Sequence, residues 1–334
     1  MTGAGRRLVV AAPNWLGDAV MSLPALAVAA AAGWEVVVSA SPYTARVYWR
    51  VAGVRELQAD APSGRFARIR ARASALHAYG ADAVVLLAPS FSSAVPAWLA
   101  RVKRRVGFAS DGRNALLTEA IPVPPRSEHL STSYGALVGR VCGDSAATNA
   151  LNSRLIVDDD ERARIDVLLA RHGVARGKYV LVVPGAAFGP AKSWPWERYR
   201  RACESIAGEA PVVLSGSAGD QATCERIAAG MAGVVNLAGE TSLGEFFALV
   251  ESARVVVAND SGAPHVAASL GVPVVTLFGS TSPEWTAPLG ARVDILQHKV
   301  HCNPCFRRTC PTQLECFNGI EPAEVVARVR RALS

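Results

Sequence analysis

Short, almost uninterrupted apolar runs recur along this chain, separated by stretches of helical character, and no other feature narrows the fold so far. Leu8-Val9-Val10-Ala11-Ala12 and Val84-Val85-Leu86-Leu87 are two of them. A strand that is apolar at every position, not at alternate ones, must be covered on both faces, which is the condition of a strand inside a parallel sheet. Strands in such sheets are joined by crossover helices.

In the first half the pattern predicts strands at 7–12, 34–40, 54–58, 83–88 and 105–109. Helices are expected from Asp18 to a stop at Gly33, at 42–51, over Arg65–Tyr79 and at 93–100. A second series opens with a short strand and helix at 153–172 and a linker at 173–177. Its strands are predicted at 179–183, 211–215, 234–237, 254–258 and 272–278. Its helices are predicted over Trp196–Ala207 and at 220–231, 243–253 and 263–270. The expected fold is therefore α/β, two Rossmann-like doubly wound parallel-sheet domains facing a central cleft. The boundaries are 1–172 and 178–320, with a helix in 321–334 packing back on the first domain. Half of the 334 residues are apolar, enough for two such cores.

The formal charge is +7, which suits an anionic partner. Nucleic acid is not expected, because no motif that reads RNA or DNA is present. Part of the excess lies in Arg65, Arg68, Arg70 and Arg72 and in Arg101, Lys103, Arg104 and Arg105. These are either solvated faces or a surface for an anionic acceptor. No apolar run is long enough for a signal segment or a membrane span, so a cytoplasmic location is expected. Seven cysteines, an odd number, do not suggest a disulfide framework there.

Ligands of doubly wound sheets bind outside the carboxyl ends of the strands, so the loops at those ends carry the candidate chemistry. After the first strand comes Pro13-Asn14-Trp15-Leu16-Gly17-Asp18. It lacks the G-x-G-x-x-G of a dinucleotide fold, which argues against an oxidoreductase. Asp18 taken alone reads as a helix cap or as a functional carboxylate. The loop from Pro184 to Pro195 is rich in small residues that let a phosphate reach the backbone, with Lys192 as a mobile cation. It is equally a Gly/Pro turn with a solvent lysine. In Asn259-Asp260-Ser261-Gly262-Ala263-Pro264-His265 a strand ends and a helix begins, and free N–H groups at a helix start bind anions. Asp260 suits sugar hydroxyls or a cap, and His265 alone is as readily structural as functional.

Together these segments resemble glycosyltransferase family 9. The resemblance is carried by Asn14-Trp15-Leu16-Gly17-Asp18 with Ser22-Leu23-Pro24-Ala25-Leu26, by the Pro184 to Pro195 loop, by Asn236-Leu237-Ala238-Gly239-Glu240-Thr241-Ser242-Leu243 and by Asn259 to Ala268. The motifs occur in family order, and within the family they are most similar to the branch that adds the second heptose of the lipopolysaccharide inner core.

That resemblance implies a GT-B fold and an inverting transfer of L-glycero-D-manno-heptose from ADP-heptose. The donor would bind the second domain and a lipid A-linked inner-core acceptor the first, at the cytoplasmic membrane face. It implies Asp18 as base and Lys192 as diphosphate contact. Thr241, Ser242 and Leu243 would hold the adenosine, Asp260 the donor, and Ser261, Gly262 and His265 would lie beside the diphosphate. No cofactor is implied for catalysis. One departure is Ser133, where relatives often carry an arginine before the tyrosine. Other heptosyl steps, another nucleotide-linked sugar, a nucleotide-sugar epimerase and an inactive binding protein remain the competing readings.

Cys302, Cys305, Cys310 and Cys316 follow His301 closely. Their spacing admits a structural zinc site, or else four thiols of a C-terminal loop.

Overall fold

The computed structural model describes residues 6–49, 51, 53–57, 63–143 and 155–334. Residues 50, 58, 153 and 154, parts of three expected elements, lie outside them. The chain forms two compact units, Met1–Arg154 and Leu155–Ser334.

The first unit runs β1 Arg7–Ala11, α1 Leu16–Ala31, β2 Glu35–Ser39, α2 Pro42–Tyr48, β3 Val54–Glu56 and α3 Arg65–Tyr79. It continues with β4 Ala83–Leu86, α4 Phe91–Leu99, β5 Arg104–Phe108, β6 Glu119–Ile121 and α5 Leu130–Cys142. The sheet order is β3-β2-β1-β4-β5-β6, and each pairing is parallel. Strand order reverses between β1 and β4, so the loops after these two strands diverge and leave a crevice at the carboxyl edge. Val9 pairs with Val37 on one side and Val84 on the other. Such side chains, buried on both faces, each contribute about 1.5–3 kcal/mol.

The second unit runs α6 Asp159–Arg171, β7 Val180–Val183, α7 Trp196–Ala207, β8 Val212–Leu214, α8 Gln221–Ala228, β9 Val234–Asn236 and α9 Leu243–Glu251. It ends with β10 Val255–Asn259, α10 Gly262–Leu270, β11 Val274–Phe278, α11 Pro283–Thr286, β12 Val293–Gln297, α12 Glu315–Asn318 and α13 Pro322–Leu333. Here the order is β12-β11-β10-β7-β8-β9, again parallel throughout.

Two boundaries differ from expectation. Helix α6, placed by sequence in the first domain, belongs to the second unit. Its Arg162 grips Glu251 at the end of α9 with two bonds of 2.7 Å, and Ile165 and Leu169 are buried. Residues 155–158, expected to include strand, are not in one. Helix α13, expected on the first domain, packs in the second unit. Its Val325, Val326 and Val329 enter the same core as Trp194, Leu277 and Phe317, and the helix packs against α7, β10 and β11.

Candidate active site

Every donor residue expected from sequence stands at the carboxyl edge of the second sheet. Lys192 ends a short turn, Pro190–Lys192, in the loop after β7. Asp260 directly follows β10. Their side chains meet, with Lys192 Nζ 2.5 Å from Asp260 Oδ2 and the two only 15% and 5% exposed. Thr281, beyond β11, donates its hydroxyl to the same Oδ2 at 2.5 Å. Asp260 thus neutralises the lysine and does not cap α10.

Ser261 is the N-cap residue of α10 but makes no capping bond. Its Oγ is buried without a hydrogen-bond partner, as are those of Ser215 beyond β8 and Ser280 beyond β11. Three such hydroxyls border one edge, where unpaired buried polar atoms are costly unless a function keeps them. Gly262 and His265 form the first turn of α10, with His265 buried. Thr241 and Ser242 lead into α9, whose capping box uses Ser242 Oγ and N–H against Glu245. Ser242 is therefore committed to its helix, while Thr241 and Leu243 flank it.

Sequence reasoning missed the residue that shapes this edge. Asn259, fully buried, accepts hydrogen bonds at Oδ1 from Trp194 N–H at 3.0 Å and Tyr199 Oη at 2.9 Å. Its Nδ2 donates to the Pro184 carbonyl at 2.6 Å. One amide thus ties both ends of the loop carrying Lys192 to the strand carrying Asp260. An asparagine preceding an aspartate at a strand end was the available signal. Asp220 was also passed over. It accepts from Ser217 N–H and Oγ, and a Cβ on Gly185 or Gly216 would fall 2.5 or 2.8 Å from its side chain. Those two glycines let the carboxylate lie against the ends of β7 and β8.

In the first unit, α1 begins at Leu16 with Trp15 as N-cap. Asp18 is the third helical residue and not the cap, so its charge faces the positive end of the helix. Behind it, Tyr48 Oη lies 3.0 Å from Ser22 Oγ. Burial raises the pKa of Tyr48 and Tyr134, and the negative charge of Asp18 adds to the rise in both. Ser133 is buried and donates to Glu128 at 3.3 Å.

A pocket of about 690 Å³ opens at the carboxyl edge of this unit, lined among others by Asn14, Pro42, Arg65, Arg68, Arg72 and Ser90. Its wall is held by Arg113, fully buried. Arg113 donates to the carbonyls of Phe108 at 2.9 Å and Ala88 at 2.5 Å and to Ser93 Oγ at 2.9 Å. Burial lowers its pKa to about 10, so it stays charged at neutral pH.

The candidate zinc ligands Cys302, Cys305, Cys310 and Cys316 stand near one another: burial raises the Cys316 pKa, and the charges of the other three thiols add to the rise. Among the described residues no three His, Cys, Asp or Glu side chains form a group able to hold a metal ion. Cys302 is exposed, Cys310 Sγ turns to Thr312 Oγ1 at 3.3 Å, and Cys316 is buried in the core. The segment also braces the Lys192 loop. The Arg308 carbonyl accepts from Ala191 N–H at 3.0 Å, and a Cβ on Gly189 would lie 2.6 Å from that oxygen.

The family model of glycosyltransferase family 9 (heptosyltransferase) matches residues 69–315. The chain is 30% identical over 226 residues to lipooligosaccharide heptosyltransferase 2 of Haemophilus influenzae, covering 65% of each protein. It is 32% identical over 238 residues to lipopolysaccharide heptosyltransferase 2 of Salmonella typhimurium, covering 66% of this chain and 67% of that protein. The matched segment spans 65–67% of the length of these relatives. The structure of Escherichia coli ADP-heptose lps heptosyltransferase II has a TM-score of 0.82 at 26% identity over 98% of both chains. The glycosyl transferase family 9 structure from Veillonella parvula has a TM-score of 0.84 at 19% identity, covering 98% of this chain and 97% of that one, a likeness of fold. Two Rossmann-like units in tandem, the GT-B class expected from the motifs, are thus what the chain adopts.

Proposed function

The chain belongs to glycosyltransferase family 9, and from that premise we propose that it transfers L-glycero-D-manno-heptose from ADP-heptose to the heptosylated, lipid A-linked inner core of lipopolysaccharide. The Lys192–Asp260 pair at the carboxyl edge of the second sheet carries this reading. A lysine held by a carboxylate can exchange that partner for a diphosphate, and Asp260 is then released to accept from sugar hydroxyls. The unpartnered Ser261 hydroxyl and the first turn of α10, with Gly262 and His265, add donors for phosphate oxygens. Thr241 and Leu243 serve the adenosine. Asp220, an acid after the second strand of a nucleotide fold, suits the ribose hydroxyls.

The reaction is a single displacement. The acceptor oxygen forms its bond to the anomeric carbon as that carbon's bond to the diphosphate breaks. The acceptor proton passes to Asp18, and the electron pair of the broken bond stays on ADP, beside Lys192. The charge developing on the leaving oxygen makes the lysine more valuable in the transition state than before it. Arg65, Arg68 and Arg72 give the first unit cations for a phosphorylated acceptor. None of the described helices is long and apolar enough to cross a membrane. The proposed work at the cytoplasmic membrane face is that of a peripheral protein.

The test is mass spectrometry of a deacylated inner-core acceptor incubated with chain and donor. One added heptose on an acceptor that already carries one supports the reading. Addition only to a heptose-free acceptor would assign the first step, and consumption of donor without acceptor would point to hydrolysis or epimerisation.

A further inference from the structure

Four crossover helices of the first unit open on an exposed aromatic ring. Trp15 is the N-cap of α1, Tyr43 is second in α2, Phe66 second in α3 and Phe91 first in α4. They are 48%, 57%, 82% and 45% exposed. In a parallel sheet every crossover helix starts at the carboxyl edge, so the topology gathers all four rings on one edge of the unit. The basic pocket opens there too. Its lining residues Asn14, Pro42, Arg65 and Ser90 are the chain neighbours of the four aromatics in turn. Among the described residues of the second unit, the exposed large apolar side chains are Ile156, Val167 and Leu289, with no aromatic among them.

Rings left in water beside guanidinium groups match one kind of partner well. Aromatic side chains favour the interfacial layer of a bilayer, and arginines beside them pair with lipid phosphates and are drawn to an anionic leaflet. A nucleic acid would also meet the arginines, but it gives no reason for four rings at separate helix starts. We propose that the carboxyl edge of the first unit docks on an anionic lipid surface, its rings entering the headgroup layer around the arginine-lined pocket. This rests on the reading that the acceptor is lipid-linked. The same edge that binds the surface then presents the pocket to a sugar anchored in it.

Sedimentation of the full chain with phosphatidylcholine vesicles, with and without phosphatidylglycerol, tests the proposal. The parent should bind the vesicles containing phosphatidylglycerol. The double variant Tyr43→Ser/Phe66→Ser should bind them more weakly, on the order of tenfold. Trp98→Ser, which removes a 49% exposed ring from the far end of α4, should bind as the parent does. Transfer to a water-soluble acceptor should be unchanged in all three. Equal vesicle binding by parent and double variant would overturn the proposal. So would loss of transfer to the soluble acceptor with vesicle binding intact, which would make the rings sugar-stacking groups. If the parent transfers nothing to the soluble acceptor, the transferase reading fails while the vesicle result is still read independently.

Discussion

Lys192 Nζ, in the loop after β7, and Asp260 Oδ2, directly after β10, lie 2.5 Å apart, and the two strands are neighbours in the sheet. Both groups are largely out of water, so removing one strands the other. Lys192→Ala is expected to lower kcat by about 2–4 kcal/mol in barrier terms. It should also destabilise the fold by up to about 3 kcal/mol, since Asp260 loses its cation. Adding Asp260→Asn should restore the unfolding midpoint and leave kcat low. A Lys192→Ala protein as stable as the parent would show that the pair is not held in solution.

Asn259 is expected to act on the reaction without touching it. Asn259→Ala removes the acceptor of Trp194 and Tyr199 and the donor to Pro184, leaving buried groups unpaired at about 1–3 kcal/mol each. Tyr199→Phe removes one bond only and should cost about 1 kcal/mol. If Asn259 positions the Lys192 loop, Asn259→Ala raises the donor KM and speeds proteolysis between 184 and 194, while Tyr199→Phe changes neither by much. Destabilisation with a normal donor KM would limit Asn259 to a structural part.

The Arg162–Glu251 pair should be visible in the acid limb of stability. The hydrogen bond from Arg162 holds the Glu251 carboxyl below the usual carboxylate range, against the opposing effect of burial. A depressed folded pKa contributes stability that is present above the unfolded value and is lost as pH falls through the folded one. Glu251→Gln should therefore cost about 1–2 kcal/mol at neutral pH, and the difference from the parent should shrink below about pH 4. Urea unfolding across that range checks it; a difference independent of pH would mean that Glu251 acts by packing alone.

Residues such as Val255, Val256 and Val257 announce their strand because every side chain is apolar, and the central strands were all legible for that reason. β6 and β12 were not. Both are edge strands with half-exposed residues, such as Glu119 and Asp294, that blur the run. Helix α5 was hidden by Ser131, Thr132, Ser133, Gly135 and Gly139, which favour turns locally and are overruled by packing against α1. The domain to which α6 belongs depends on a contact between residues 89 apart in sequence, beyond the reach of local pattern. In the site, the motifs named Lys192 and Asp260 separately. Their meeting follows from strand order, because β7 and β10 pair although 71 residues separate the end of one from the start of the other (255 − 183 − 1).

Asp18 is expected to be the base that takes the acceptor proton. The structure removes its rival role, since Trp15 and not Asp18 is the N-cap of α1. At the third helical position the macrodipole favours the ionised carboxylate, the form able to receive a proton. Its neighbours Tyr48 and Tyr134 are buried phenols with raised pKa, so they remain neutral and do not compete as bases. A carboxylate that is a weak base in the ground state suffices when the proton leaves late, after bonding to the anomeric carbon has made the hydroxyl acidic. Asp18→Asn keeps shape and polarity and abolishes proton acceptance. It should lower kcat by about 10²–10⁴-fold, with the donor Kd and the unfolding midpoint near those of the parent. Asp18→Glu, which keeps the carboxylate but displaces it, should recover part of the rate. Turnover of Asp18→Asn within a few-fold of the parent would leave the side chain a first-turn electrostatic group and place the base elsewhere.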